Sequence, residues 1–170
     1  MKRYLCIISL FLISALLTHS FSQQPKIRIG VYDSRAVAIS YANSKFFKNP
    51  FSNLGPRMKV AKERNDTKEI AKIEIEGKMH QAILHDQGFG KGSVNTILEN
   101  YKEKIDAIAK DEKLDLIVSK WEVMYQGSPL ELVDITEKMA GLFEPPDKVK
   151  QMIKEVPNHE PVKDAFFIED

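Results

Sequence analysis

Three places in this 170-residue chain hold residues whose types and spacing bear on chemistry. Gly88 to Ser93, read Gly-Phe-Gly-Lys-Gly-Ser, invites comparison with loops whose glycines let backbone amides face a phosphate. Such a loop needs Ser or Thr directly after the lysine and a strand before the glycines, whereas Gly92 follows Lys91 and a helical pattern precedes Gly88. The segment therefore reads as the tip of a helical hairpin. Asp33 stands at the carboxyl end of a first strand pattern, where aspartyl phosphotransferases keep a nucleophile. Those enzymes need a second carboxylate two residues on, and Arg35 occupies that position, so Asp33 reads as a helix N-cap. Glu76 and His80 are one helical turn apart, but His85 is about 140° further round and no third metal ligand is evident. No Ser-His-Asp set or carboxylate pair stands out. The expectation is no catalytic residue, no metal and no cofactor, hence not an enzyme.

These residues must be positioned by elements that the hydrophobic pattern defines. Ile27, Ile29 and Val31 alternate with Arg28, Gly30 and Tyr32, which predicts a strand with the three aliphatic residues on its buried face. A helix follows from Asp33 or Ser34 to about Phe47. Asn49-Pro50 and Gly55-Pro56 then break the chain, with Phe46, Phe47, Phe51 and Leu54 scattered among the breakers. From Arg57 to Gln87 the pattern is helical, as one helix or as two with a fresh capping box at Asp66-Thr67-Lys68-Glu69. Ala71, Ile75, Met79 and Ile83 form a stripe on it. A return helix capped by Ser93 carries Val94, Leu98, Tyr101, Ile105 and Ile108 at coiled-coil spacing through about Lys113. The two legs predict an antiparallel hairpin.

Leu114 to Val118 then reads as a buried strand, and the alternation of Trp121, Val123 and Tyr125 as a second one. Asp134-Ile135-Thr136-Glu137 has capping-box spacing and predicts a helix from Ile135. Pro145-Pro146 halts it, Asp147 caps a short helix through Val156, and Ala165-Phe166-Phe167-Ile168 forms an apolar terminus.

Residues 1–22 carry Lys2 and Arg3, an apolar run from Tyr4 to Leu17 and small residues before Gln23, the pattern of a cleaved secretory signal peptide. The only cysteine, Cys6, leaves with it. What remains has 23 basic and 24 acidic residues and no thiol, so disulfides cannot hold the fold. Near-neutrality also disfavours a nucleic-acid partner, since little positive charge exists to displace counterions.

Three segments together resemble the Skp/OmpH family of periplasmic chaperones: Ile29 to Val37 at the start, Leu114 to Val118 with Val123 to Tyr125 near the end, and Asp134-Ile135-Thr136 opening the last helix. The resemblance implies an α+β fold in which a small β-sheet body (26–48 and 114–143) carries an inserted antiparallel helical arm (56–113), with 144–170 as a C-terminal extension to the 23–143 domain. It implies a homotrimer that binds unfolded outer-membrane or envelope proteins without ATP in the periplasm, with transient contact to membrane surfaces. The arm departs from the family in being short and balanced in charge, with 12 basic and 11 acidic residues from 56 to 113. Phe46, Phe47, Phe51, Ile75, Met79, Ile83 and Phe89 are the expected client-binding residues. The alternative is an envelope interaction protein that keeps the trimeric body without chaperone activity.

Overall fold

The structure, a computed structural model, describes residues 26–127 and 130–164. Ile27–Tyr32 forms β1, the central strand of a three-stranded sheet flanked by β2 (Leu116–Ser119) and β3 (Leu130–Asp134). Both neighbours run parallel to β1: Ile29 lies beside Leu116 and Leu132, and Val31 beside Val118 and Asp134. Parallel partners require long connections. The first connection holds α1 (Ser34–Ala42), α2 (Leu54–Glu63), α3 (Thr67–Phe89), α4 (Asn95–Leu98), a 3-10 turn (Glu99–Tyr101) and α5 (Lys102–Asp111). After β3 come α6 (Thr136–Gly141) and α7 (Asp147–Glu155). The chain is thus mixed α and β around a small sheet, as the sequence predicts.

Local chemistry explains the boundaries. The Asp33 carboxylate accepts from the Arg35 amide at 3.0 Å and starts α1. The Asp66 carboxylate accepts from the Glu69 amide at 3.0 Å, so the second capping box is used and the long helical segment is two helices. Asn65, with φ of 52°, makes the turn between them. Around it the Asp66 and Asn65 amides donate to the carbonyls of Ala61 and Lys62, which satisfies the end of α2 as a Schellman turn. Lys113, at φ 54°, ends α5 in the same manner. The last capping box forms in part: Asp134 accepts from the Thr136 amide at 2.8 Å, and α6 begins at Thr136, one residue later than expected.

Strand alternation gives the sheet two faces. One carries Gly30, Tyr32, Ile117 and Val133 and packs on a core of Val37, Val94, Leu98, Ile135, Met139, Leu142 and Phe143. Gly30 permits that approach, because a Cβ there would sit 2.6 Å from Leu114 Cδ1 and 2.9 Å from Ile135 Cδ1. The expectation that Ile27, Ile29 and Val31 point into the core is therefore corrected: a strand reads alike from either side, and the glycine face is the one the helices can press against. Ile27 and Leu116 stay about half exposed and Leu132 more than a third.

The expected arm, 57–87 paired with 93–113, is also corrected. The helical pair that forms is α2 with α3, closed by Leu54, Met58 and Ala61 against Ile70 and Ile73. Leu98, Tyr101, Ile105 and Ile108 lie on the core of the body instead. Their spacing suits any flat apolar partner, and the sheet supplies one. The second strand expected at Trp121–Tyr125 does not form either. Lys120–Glu122 is a 3-10 turn and 123–127 has no regular structure. β3 lies further on, at Leu130–Asp134.

Helix α7 belongs to the packed body: Val149 and Ile153 are buried with Ala36 and Ala140. Ser40 Oγ donates to the Ala140 carbonyl at 2.6 Å and ties α1 to α6. The expected signal peptide and the apolar terminus Ala165–Ile168 lie outside the described residues. No described helix is long and apolar enough to cross a membrane.

Candidate functional site

Two regions depart from the usual pairing of charge with solvent and hydrocarbon with the interior. The first is at the carboxyl ends of the parallel strands, where open α/β sheets place their ligand crevices. Asp33, at the end of β1, is wholly buried and Arg35 is 4% exposed. Arg35 Nη2 donates to Asp33 Oδ2 at 2.8 Å and Nε to Oδ1 at 3.1 Å. Lys120, just past β2, brings its ammonium to 2.7 Å from Oδ2, and Trp121 Nε1 donates to Oδ1 at 3.3 Å. The Arg35 guanidinium and the Lys120 ammonium also lie over the Trp121 ring, at 5.0 and 4.4 Å from its centre. The Asp33 amide donates to Thr136 Oγ1 at 3.0 Å, which joins the cluster to α6.

Burial alone pushes the Asp33 carboxyl up, but hydrogen bonds from Arg35 and Lys120, with their charges, hold it below its ordinary range. A carboxylate so engaged is a poor nucleophile, since its lone pairs are already committed to two cations, an indole and a backbone amide. Its geometry makes it a clamp: β1, α1 and the turn after β2 all meet on one side chain.

The second region is the outer side of α3. Ile75, Met79 and Ile83 are 60%, 57% and 43% exposed, although each is a large hydrophobic residue. With Lys72, Glu76 and His80 they line a shallow groove of about 300 Å3. A charged bridge links the two helices beside the groove: Arg57 of α2 donates to Glu69 at 2.8 Å and to Glu76 at 2.7 Å. Its hydrogen bond to Arg57 holds the Glu76 carboxyl below the usual range. Glu76 is thus engaged away from His80, whose Nε2 lies 3.8 Å from the second Glu76 oxygen. Among the described residues no three His, Cys, Asp or Glu side chains come together as metal ligands do.

The structure gathers the expected client-binding residues only in part. Ile75, Met79 and Ile83 share the groove, and Phe51 reaches its rim, edge-on to the His80 ring at 5.9 Å. Phe46 and Phe47 pack elsewhere, against Tyr101 and Tyr41 at 6.3 and 5.5 Å, and these tyrosines in turn meet Phe143 edge-on. Phe89 ends α3, half exposed, with its ring 5.9 Å from His85. Gly88 lies inside α3 and Gly92 against its last turn, where a Cβ would meet the Gln87 nitrogen at 2.8 Å. The glycine-rich segment thus folds back on the end of a helix.

Two features escape a reading of the sequence. Lys120 and Trp121 join Asp33 from 87 and 88 residues away, and no local pattern announces it. The open sheet face of Ile27, Ile29, Val31, Leu116, Val118, Leu130 and Leu132 emerges only once the strand register is known. Comparison with protein-family models, with curated proteins and with solved structures finds no match to this chain.

Proposed function

We propose that this protein is an exported holdase of the Skp/OmpH type, which binds unfolded outer-membrane or envelope proteins in the periplasm without ATP and without catalysis. The observation that carries the reading is the row Ile75, Met79 and Ile83, hydrocarbon left accessible on a helix whose other side packs on α2. A contiguous exposed apolar patch is the usual mark of a surface that meets other chains. Methionine and isoleucine without fixed polar partners suit segments of varied sequence.

The sheet supports the self-association in this reading. Parallel sheets are ordinarily covered on both faces, and here seven aliphatic side chains on one face keep at least part of their surface accessible. Sister subunits packed there complete a trimeric body, with each α2–α3 pair as the short arm in place of the longer hairpin. Several arms then hold one client by avidity, each contact being weak.

The test is whether the purified protein, at stoichiometric ratio, suppresses aggregation of a denatured outer-membrane protein, alongside an Ile75→Ser/Met79→Ser/Ile83→Ser variant. Suppression by the native chain and its loss in the variant are the expected pair of results. No suppression by the native chain supports the second reading, an envelope interaction protein that keeps the trimeric body alone. The pairing of α3 with the short α2, which leaves no long arms to enclose a client, favours that reading.

A further inference from the structure

The exposed row is the centre of a longer pattern on α3 that reads alike from either end. Lys72, Ile75, Met79, Ile83 and Asp86 follow one another at intervals of three, four, four and three residues. At about 100° per residue they fall within an arc of about 80° on one side of the helix. Met79 is the midpoint: Ile75 and Ile83 stand four residues to either side of it, and Lys72 and Asp86 seven. The spacing is thus a palindrome whose apolar positions match and whose ends carry opposite charge. Lys72 is exposed and Asp86 partly so. Neither is held in an ion pair among the described residues, whereas Glu76, the acid beside the row, is engaged by Arg57.

We infer that this face binds a second copy of itself, α3 against α3, antiparallel about a two-fold axis through Met79. In that register Ile75 of each chain meets the partner's Ile83, the two Met79 side chains meet on the axis, and Lys72 faces the partner's Asp86 at both ends. An isologous contact requires a surface complementary to itself, and the palindrome with its unlike ends has that property. It is also what selects a second copy of this chain over an unrelated occupant. The charges choose the direction. A parallel pair would set lysine on lysine and aspartate on aspartate, whereas the antiparallel pair makes two attractive contacts about 21 Å apart along the axis.

This contact is separate from the open sheet face, so it joins protomers, or assemblies built on that face, through their helical pairs. One helix face on another is small for a protein interface, which makes the association weak and reversible. Its consequence for function rests on the reading of the row as the client surface. Copies of the chain shield one another's hydrocarbon when no client is present, and a client segment then takes the place of the sister helix.

Disulfide trapping tests the register. In a Cys6→Ser background, which holds no other thiol, equal amounts of Ile75→Cys and Ile83→Cys chains are mixed and oxidised. Linkage of position 75 to position 83 in excess of the half share that random collision gives supports the inference, because like positions lie about 12 Å apart along the axis. A random distribution overturns it, as does an excess of 75-to-75 and 83-to-83 linkage, which marks a parallel pair. Charge reversal tests the ends. With Met79→Cys placing a thiol on the axis, Lys72→Glu or Asp86→Lys sets like charges at both ends and is expected to slow the 79-to-79 disulfide by about tenfold at low salt. Lys72→Glu/Asp86→Lys together exchange the charges between chains and should restore the rate. Positions 72 and 86 are too far apart on one helix to touch, so rescue separates a contact between chains from an effect on the fold. No slowing, or slowing without rescue, overturns the inference. Excess denatured client is expected to slow the same disulfide. If it does not, while 75-to-83 linkage still predominates, the self-contact stands and the reading of the row as client surface is what fails.

Discussion

The strand-end cluster and the α3 row are opposites: one buries charge, the other exposes hydrocarbon. Asp33 and Arg35 are held inside because each meets partners on several elements, Lys120 closes the pair from a partly exposed position, and removal of Asp33 leaves both cations without their counter-charge. Ile75, Met79 and Ile83 contribute less to the folded state because about half of each stays exposed. The contrast separates the part of the molecule that specifies the fold from a row that stays accessible on its surface.

The largest effect expected at the cluster comes from Asp33→Ala. It leaves Arg35 buried without its counter-charge and costs about 3–5 kcal/mol in chemical denaturation. A loss below about 1 kcal/mol would mean that the cluster is not the clamp described. Acid sharpens the same point. The folded-state value of Asp33 lies below its unfolded value, so its stabilisation is fully present above about pH 4 and is lost as pH falls through the lowered value. Lys120→Met removes one of the depressing cations, so the midpoint of acid unfolding is expected to move to higher pH, as followed by far-ultraviolet circular dichroism. An unchanged midpoint would show that Arg35 alone sets the carboxyl.

Smaller effects belong to the helical pair. Gly77→Ala is expected to stabilise by about 0.5–1 kcal/mol. Its Cβ would meet only Leu54 Cδ1, at an ordinary 3.6 Å, and the substitution removes a helix-interior glycine. The smallest change in stability is expected for the three serine substitutions on the α3 row, within about 0.5 kcal/mol each. Under the proposed function, the same three substitutions are expected to remove client binding. A marked drop in melting temperature instead would place the row in the fold and break the comparison.

The sequence shows the strands and caps well where the signal is local. Ile27–Tyr32 and the Asp33 and Asp66 caps are set by neighbours within a few residues, whereas α1, expected to run to about Phe47, ends at Ala42. It misleads where partner choice decides. Leu98, Tyr101, Ile105 and Ile108 have the spacing of a coiled-coil seam, yet they pack on the body, because periodicity names a face and not what covers it. Trp121 to Tyr125 alternates like a strand. Trp121 is drawn instead to Asp33 and Arg35, while Met124 and Tyr125 are 95% and 85% exposed. At the candidate site, the row Ile75, Met79 and Ile83 is legible as a stripe, but its outward direction is not. That depends on Ile70 and Ile73 having claimed α2.

The strand order bears on how the chain reaches this state in time. The α2–α3 pair joins residues 12 and 19 positions apart, as in Arg57 to Glu69 and Glu76, across a short turn, so it closes on the fast timescale of local contacts. Strand β1 has no such option. Its neighbours begin at Leu116 and Leu130, and nothing can seat it until most of the polypeptide has emerged. A chain that grows from its amino end therefore keeps β1 unpaired through most of its length and closes the sheet last.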